Sequence, residues 1–139
     1  MSDYLNVISL AGLAPEDRFP TWRVVMERKA QGAETFEIHC WDQDEEGMEL
    51  ALQYGVYKDV NWPNGKVITG QVTEEFIHML THQPKPESND LYDKMTPFFS
   101  IFFDNGFSSE HYGTEMYVWM DEPDWGRRRT GKSTVYGIP

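Results

Sequence analysis

Period-two alternation of apolar and polar side chains recurs along this chain and restricts its fold more than any other feature. A segment that alternates every second residue gathers its apolar groups on one face only as a β-strand. In residues 22–27, Trp22, Val24 and Met26 alternate with Arg23, Val25 and Glu27, and in residues 36–41, Phe36, Ile38 and Cys40 alternate with Glu37, His39 and Trp41. In residues 48–57, Met48, Leu50, Leu52, Tyr54 and Val56 alternate with Glu49, Ala51, Gln53, Gly55 and Tyr57. A later segment, 114–120, sets Met116, Val118 and Met120 against Glu115, Tyr117 and Trp119. Gln31-Gly32 and the acidic stretch around Gly47 supply turns, so the first three segments predict an antiparallel meander.

Other stretches carry helical or turn chemistry. Tyr4, Leu5, Val7, Ile8 and Ala11 predict a short helix over residues 3–11, with Asp3 as cap, Gly12 as stop and Pro15 beyond. Asn61-Trp62-Pro63-Asn64-Gly65 reads as a tight turn before a short strand at 66–69. Thr73 caps a helix predicted over 73–82 with Phe76, Met79 and Leu80 on one face, and Ser88 is the cap of a second, short one near 89–95 through Leu91, Tyr92 and Met95. The run Phe98-Phe99-Ser100-Ile101-Phe102-Phe103 is apolar on both sides, as in a strand covered on both faces, and Asn105-Gly106 follows as a hairpin signal. The predicted architecture is a single α+β domain over residues 1–126. It has a mostly antiparallel sheet of about five or six strands, two or three short helices packed on one face, and a basic C-terminal tail at 127–139. The opposite sheet face is expected to hold Trp41, Tyr57, Tyr117 and Trp119 among Glu37, His39, Gln53 and Glu115.

A chain of 139 residues with 40% hydrophobic and 14% aromatic residues can bury a core. Its charge is unevenly placed. All 23 acidic residues precede Gly126, whereas four of the 12 basic residues, Arg127, Arg128, Arg129 and Lys132, follow it, so the body carries −15 and the whole chain −11. Such a body repels nucleic acid and anionic membranes, because binding phosphate depends on Lys and Arg. No apolar run approaches a membrane span, and the first basic residue is Arg18, unlike the charged start of a signal peptide, so a cytoplasmic location is expected. Cys40 is the single cysteine and forms no internal disulfide.

Several motifs carry residue types that could support chemistry. Gly126-Arg127-Arg128-Arg129-Thr130-Gly131-Lys132-Ser133 matches the G-x-x-x-x-G-K-S pattern, but only six residues follow Ser133, too few for the helix that a phosphate loop needs, so a non-functional match is expected. Asp42-Gln43-Asp44-Glu45-Glu46-Gly47 begins like a calcium loop, yet its twelfth position is Gln53 where a bidentate Glu is required. Glu75, His78 and His82 share one side of the 73–82 helix, a spacing that permits a metal, but that side points away from the apolar face. Cys40 shares the face of Phe36 and Ile38 and is expected to be an inert core thiol, with His39 on the other side. Nothing in the spacing of Ser108, Ser109, Glu110 and His111 selects a catalytic triad. No cofactor and no metal are assigned.

The leading expectation is a non-enzymatic, acidic protein-interaction module, similar in physical style to inhibitors or immunity proteins, that binds a basic partner protein. Its binding residues would be Asp42, Asp44, Glu45, Glu46, Trp62, Asp121, Glu122, Asp124 and Trp125: carboxylates steer a cationic partner, and loop tryptophans anchor it. One alternative is a small-molecule or metal-dependent enzyme using His39, Glu37 and Trp41, or Glu75, His78 and His82. A second is a structural homodimer that buries the aromatic sheet face.

Overall fold

In residues 36–41 the alternation is realised directly: Phe36, Ile38 and Cys40 are buried and Glu37, His39 and Trp41 are half-buried between them. The computed structural model describes residues 3–121, with side chains for 6–118. The strands are β1 (Asp3–Ser9), β2 (Thr35–Trp41), β3 (Gly55–Lys58), β4 (Gly65–Gln71), β5 (Ser100–Phe103), β6 (Phe107–Glu110) and β7 (Glu115–Asp121). They form one antiparallel sheet of seven strands in the order β1-β7-β6-β5-β2-β4-β3. Helices α1 (Pro15–Gln31), α2 (Glu45–Leu52) and α3 (Glu74–His82) complete an α+β fold with slightly more strands than predicted. Among the described residues no helix is long and apolar enough to cross a membrane.

The register fixes the faces. Ile8, Met116, Ser109, Ile101, Ile38 and Ile68 fall in one row across six strands, and this side carries the helices. Phe36 stacks on Phe76 of α3 with ring centroids 4.1 Å apart, and the Trp22 indole of α1 donates to Ser109 Oγ at 3.1 Å. At α2, Gly47 lies so close to the sheet connection that a Cβ would stand 2.8 Å from the Pro97 carbonyl oxygen. Each helix therefore covers the same face.

Four predicted elements are corrected. Residues 3–9 form edge strand β1, not a helix, with only a 3-10 turn at Leu10–Gly12; Val7 and Ile8 suit an extended backbone, and pairing with β7 decides the matter. Pro15 does not lie beyond a helix but opens one at its first turn, where proline costs no hydrogen bond. Residues 22–27 lie inside that 17-residue helix, α1. Its buried residues Trp22, Met26 and Ala30 recur every four, while Val24, which the strand reading placed inward, is exposed. Residues 48–57 split into α2 and the short edge strand β3, with Gly47 and Ala51 buried one helical turn apart and acidic Glu45 and Glu46 at the favourable N-terminal end. The stretch 89–95 is irregular: Asn89 Oδ1 accepts from the amides of Leu91 and Tyr92, closing a local turn in place of a helix. Strand β6 was not anticipated. The helix over 73–82 and the strands near 66–69, 98–103 and 114–120 are present, and Thr73 Oγ1 caps α3 by accepting from the Phe76 amide at 3.1 Å.

Candidate functional site

The acidic segment after β2 turns sharply, with the Asp44 amide donating to the Trp41 carbonyl at 2.9 Å and the Asp42 amide to Asn64 at 3.0 Å. The second bond ties the 61–65 turn to the acidic segment. Trp62 consequently meets Trp41 edge to face, with centroids 5.0 Å apart, and a Cβ at Gly65 would collide with the Trp62 ring at 2.5 Å. Asp42, Asp44, Glu45, Glu46 and Trp62 thus belong to one corner of the molecule. Within it the carboxylates differ. Asp42 pairs with Lys66 at 3.2 Å, and Asp44 sits at the cap position of α2 but accepts from the Tyr112 hydroxyl at 2.7 Å instead of capping the helix. Glu45 and Glu46 are exposed and contact no cation among the described residues. A wide groove of about 580 Å³ beside them is lined by Gln43, Asp44, Glu45, Glu46, Glu87 and Lys94, among others.

Asp121, the described member of the second acidic group, lies elsewhere. Asp121 pairs with Asp3 at the far end of β7, and from the register this end is on the order of 25 Å along the strands from Trp41. Glu122, Asp124 and Trp125, like the Gly126 to Ser133 motif and the tail at 127–139, lie outside the described residues.

The sheet face away from the helices carries Trp41 and Tyr117 with Glu37, His39 and Glu115, as alternation requires. Two expected members are not there. Tyr57 pairs with Ile68 and continues the helix-side row at the sheet edge, and Gln53 ends α2. Both errors follow from reading 48–57 as one strand, since a helical turn in the middle breaks the parity. Phe102 joins this face through its pairing with Glu37 and lies 4.8 Å from the His39 ring. Trp62, Trp41, Phe99 and His111 continue the aromatic contacts across it.

On this face Glu37 accepts from His39 Nε2 at 2.8 Å and from Lys58 at 3.0 Å. Burial pushes its carboxyl up, but the two hydrogen bonds and the adjacent cationic groups outweigh that and hold it below its usual value. Tyr117 donates to Glu115 at 2.7 Å, and His111 Nδ1 bonds the same oxygen at 3.1 Å. The Ser108 hydroxyl donates to Glu110, Ser109 receives the Trp22 indole, and neither meets His111, so no triad is assembled. His111 is aimed by an unusual turn: His111, Tyr112 and Gly113 all have positive φ, at 56°, 60° and 88°. The amides of Met95 and Thr96 both donate to the Tyr112 carbonyl, which anchors the turn to the chain before β5. Sequence reading did not foresee that arrangement, although Gly113 is its one local signal.

The remaining candidates have plain geometry. Cys40 is fully buried, and desolvation first, then the Asp44 charge, pushes its thiol up to about 12, which suits an inert core group. Glu75, His78 and His82 are exposed on α3; the two imidazoles stack at 3.9 Å, and His82 Nδ1 bonds the His78 carbonyl. Among the described residues no three His, Cys, Asp or Glu side chains are grouped to hold a metal ion. Comparison with protein families, with curated proteins and with solved structures finds no match.

Proposed function

We propose that this protein is a non-enzymatic, acidic interaction module, inhibitor-like or immunity-like, that binds a basic partner protein. The observation that carries this reading is the corner where Glu45 and Glu46, exposed and in contact with no cation among the described residues, follow the turn from Trp41, which packs on Trp62. Carboxylates in excess over the single lining cation, Lys94, attract a positive partner over several ångströms, and a half-buried tryptophan at the same corner supplies apolar contact once it arrives. The wide acidic groove suits a segment of chain better than a small molecule. Asp121, Glu122, Asp124 and Trp125 form a second proposed contact region, and a cytoplasmic setting fits the single buried thiol.

The test is capture of basic partners on immobilised protein at low and at moderate salt. Trp62→Ala and the pair Glu45→Gln with Glu46→Gln should each weaken capture, and Trp125→Ala should do so if the second region contributes. A partner retained equally by all variants, or held independently of salt, defeats the proposal. The close His39–Glu37 pair favours one other reading, an enzyme using His39 as a base with Glu37 and Trp41 beside it. Under that reading His39→Gln abolishes turnover of a small substrate and leaves partner capture intact.

A further inference from the structure

A cavity of about 350 Å³ opens between the Leu10–Gly12 turn, the start of α1, residues 91–95 and the turn joining β6 to β7. Its volume falls within the range of about 300–1,000 Å³ typical of small-molecule sites. Leu91, 81% exposed, gives it apolar surface over a floor formed by the core residues Leu10 and Met95, each 1% exposed. The rings of Tyr92 and His111 lie parallel within 5°, their centroids 6.3 Å apart, and supply aromatic surface.

The charged lining is of two kinds. Arg18 gives its donors to the Leu13 carbonyl at 3.1 Å, the Ala11 carbonyl at 3.3 Å and Asp93 at 3.1 Å, and Asp93 also receives Lys85 and Ser88. That side is already balanced. Glu115 is different: it contacts His111 and the Tyr117 hydroxyl but no Lys or Arg among the described residues. Directly opposite it on β6 is Glu110, whose contact is the Ser108 hydroxyl. Like charges facing across strands are unfavourable, and a cation placed there relieves them.

We propose that this cavity binds a small organic cation, an amine or guanidine on an apolar body, with its charge at Glu115 and its body against Leu10, Met95 and Tyr92. An anion of the same shape would meet Glu115 and Asp93, the two carboxylates of the lining, while its one guanidinium, Arg18, is already committed to three acceptors. The cavity shares no lining residue with the acidic groove, so this inference stands apart from the proposed protein partner.

Calorimetric titration of the full chain with phenethylamine and with phenylacetate, which share an aromatic body and differ in charge, tests it. Saturable amine binding is expected, at least about tenfold tighter than the carboxylate, with Glu115→Gln weakening it about tenfold, as loss of a charge-assisted contact does. Amide shifts on amine addition should centre on Leu10, Met95 and Thr114. No amine binding, equal binding of phenylacetate, or shifts centred elsewhere overturns the proposal, as does a folded Glu115→Gln protein that binds like wild type. Should that variant lose its fold, the charge preference and shift map of the wild-type protein decide.

Discussion

Asp93 shows how one side chain orders a segment that has no regular structure. The chain between α3 and β5 lacks helix and strand, yet Asp93 receives Lys85 at 2.7 Å, Ser88 at 2.8 Å and Arg18 at 3.1 Å, joining two parts of that segment to α1. Lys85 foremost, opposed by burial and aided by Ser88 and Arg18, holds its carboxyl down at about 2. A carboxyl depressed in the folded state stabilises the fold above its unfolded pKa, and that contribution fades as pH falls from about 4 through about 2. Its side chain is 36% exposed, so solvent screening limits the contribution to about 1 kcal/mol. Asp93→Asn should lower the urea unfolding free energy by about that amount at neutral pH. The gap between variant and wild type should close near pH 2. A gap that persists there would mean that packing, not ionisation, makes Asp93 matter.

At the scale of elements, docking of α3 depends on two glycines. Gly55 and Gly70 face each other on β3 and β4, and the Phe36 ring lies over them to stack on Phe76. A Cβ at Gly70 would stand 2.8 Å from the Phe36 ring and 2.5 Å from the Tyr54 carbonyl oxygen. Gly70→Ala should therefore destabilise the fold by about 1–3 kcal/mol, the usual cost of overpacking. Gly12→Ala, where nothing lies within 4 Å, should be nearly neutral; equal effects of the two in a denaturant titration would contradict this account of the packing. The same contacts explain what was legible in the sequence. Strand β2 was readable because its alternation coincides with its burial, and α3 because its apolar face and Thr73 cap agree. Helix α1 was hidden because Val24 imitates a strand pattern between Trp22 and Met26. Strand β6 was hidden because buried Ser108 and Ser109 look like loop residues, and their hydroxyls are satisfied by nearby Glu110 and distant Trp22. In the candidate site the acidic residues and Trp62 could be named from sequence. Their meeting at one corner depends on a backbone bond between Asp42 and Asn64, which no local pattern encodes.

Over the whole molecule, the net charge of −11 sets folding against the proposed recognition of a basic partner. The ion pairs of the described residues that join Lys or Arg to a carboxylate link Arg18 and Lys85 to Asp93, Lys58 to Glu37 and Lys66 to Asp42, with side chains 21% to 51% exposed. Such pairs contribute about 0–1 kcal/mol each. Against them stand Glu45 and Glu46, which contact no cation among the described residues, and the facing Glu110 and Glu115, whose repulsion is felt most when it is unscreened. Repulsion should outweigh the exposed pairs, so screening it should stabilise the fold. Raising sodium chloride from about 10 mM to about 150 mM shortens the screening length from about 30 Å to about 8 Å, and the thermal midpoint should rise by a few degrees. The same salt should weaken capture of a basic partner, because the field that strains the fold is the one that steers the encounter. Opposite responses of melting and capture are the expected signature. If both fall with salt, the ion pairs dominate stability and the acidic excess does not burden the fold.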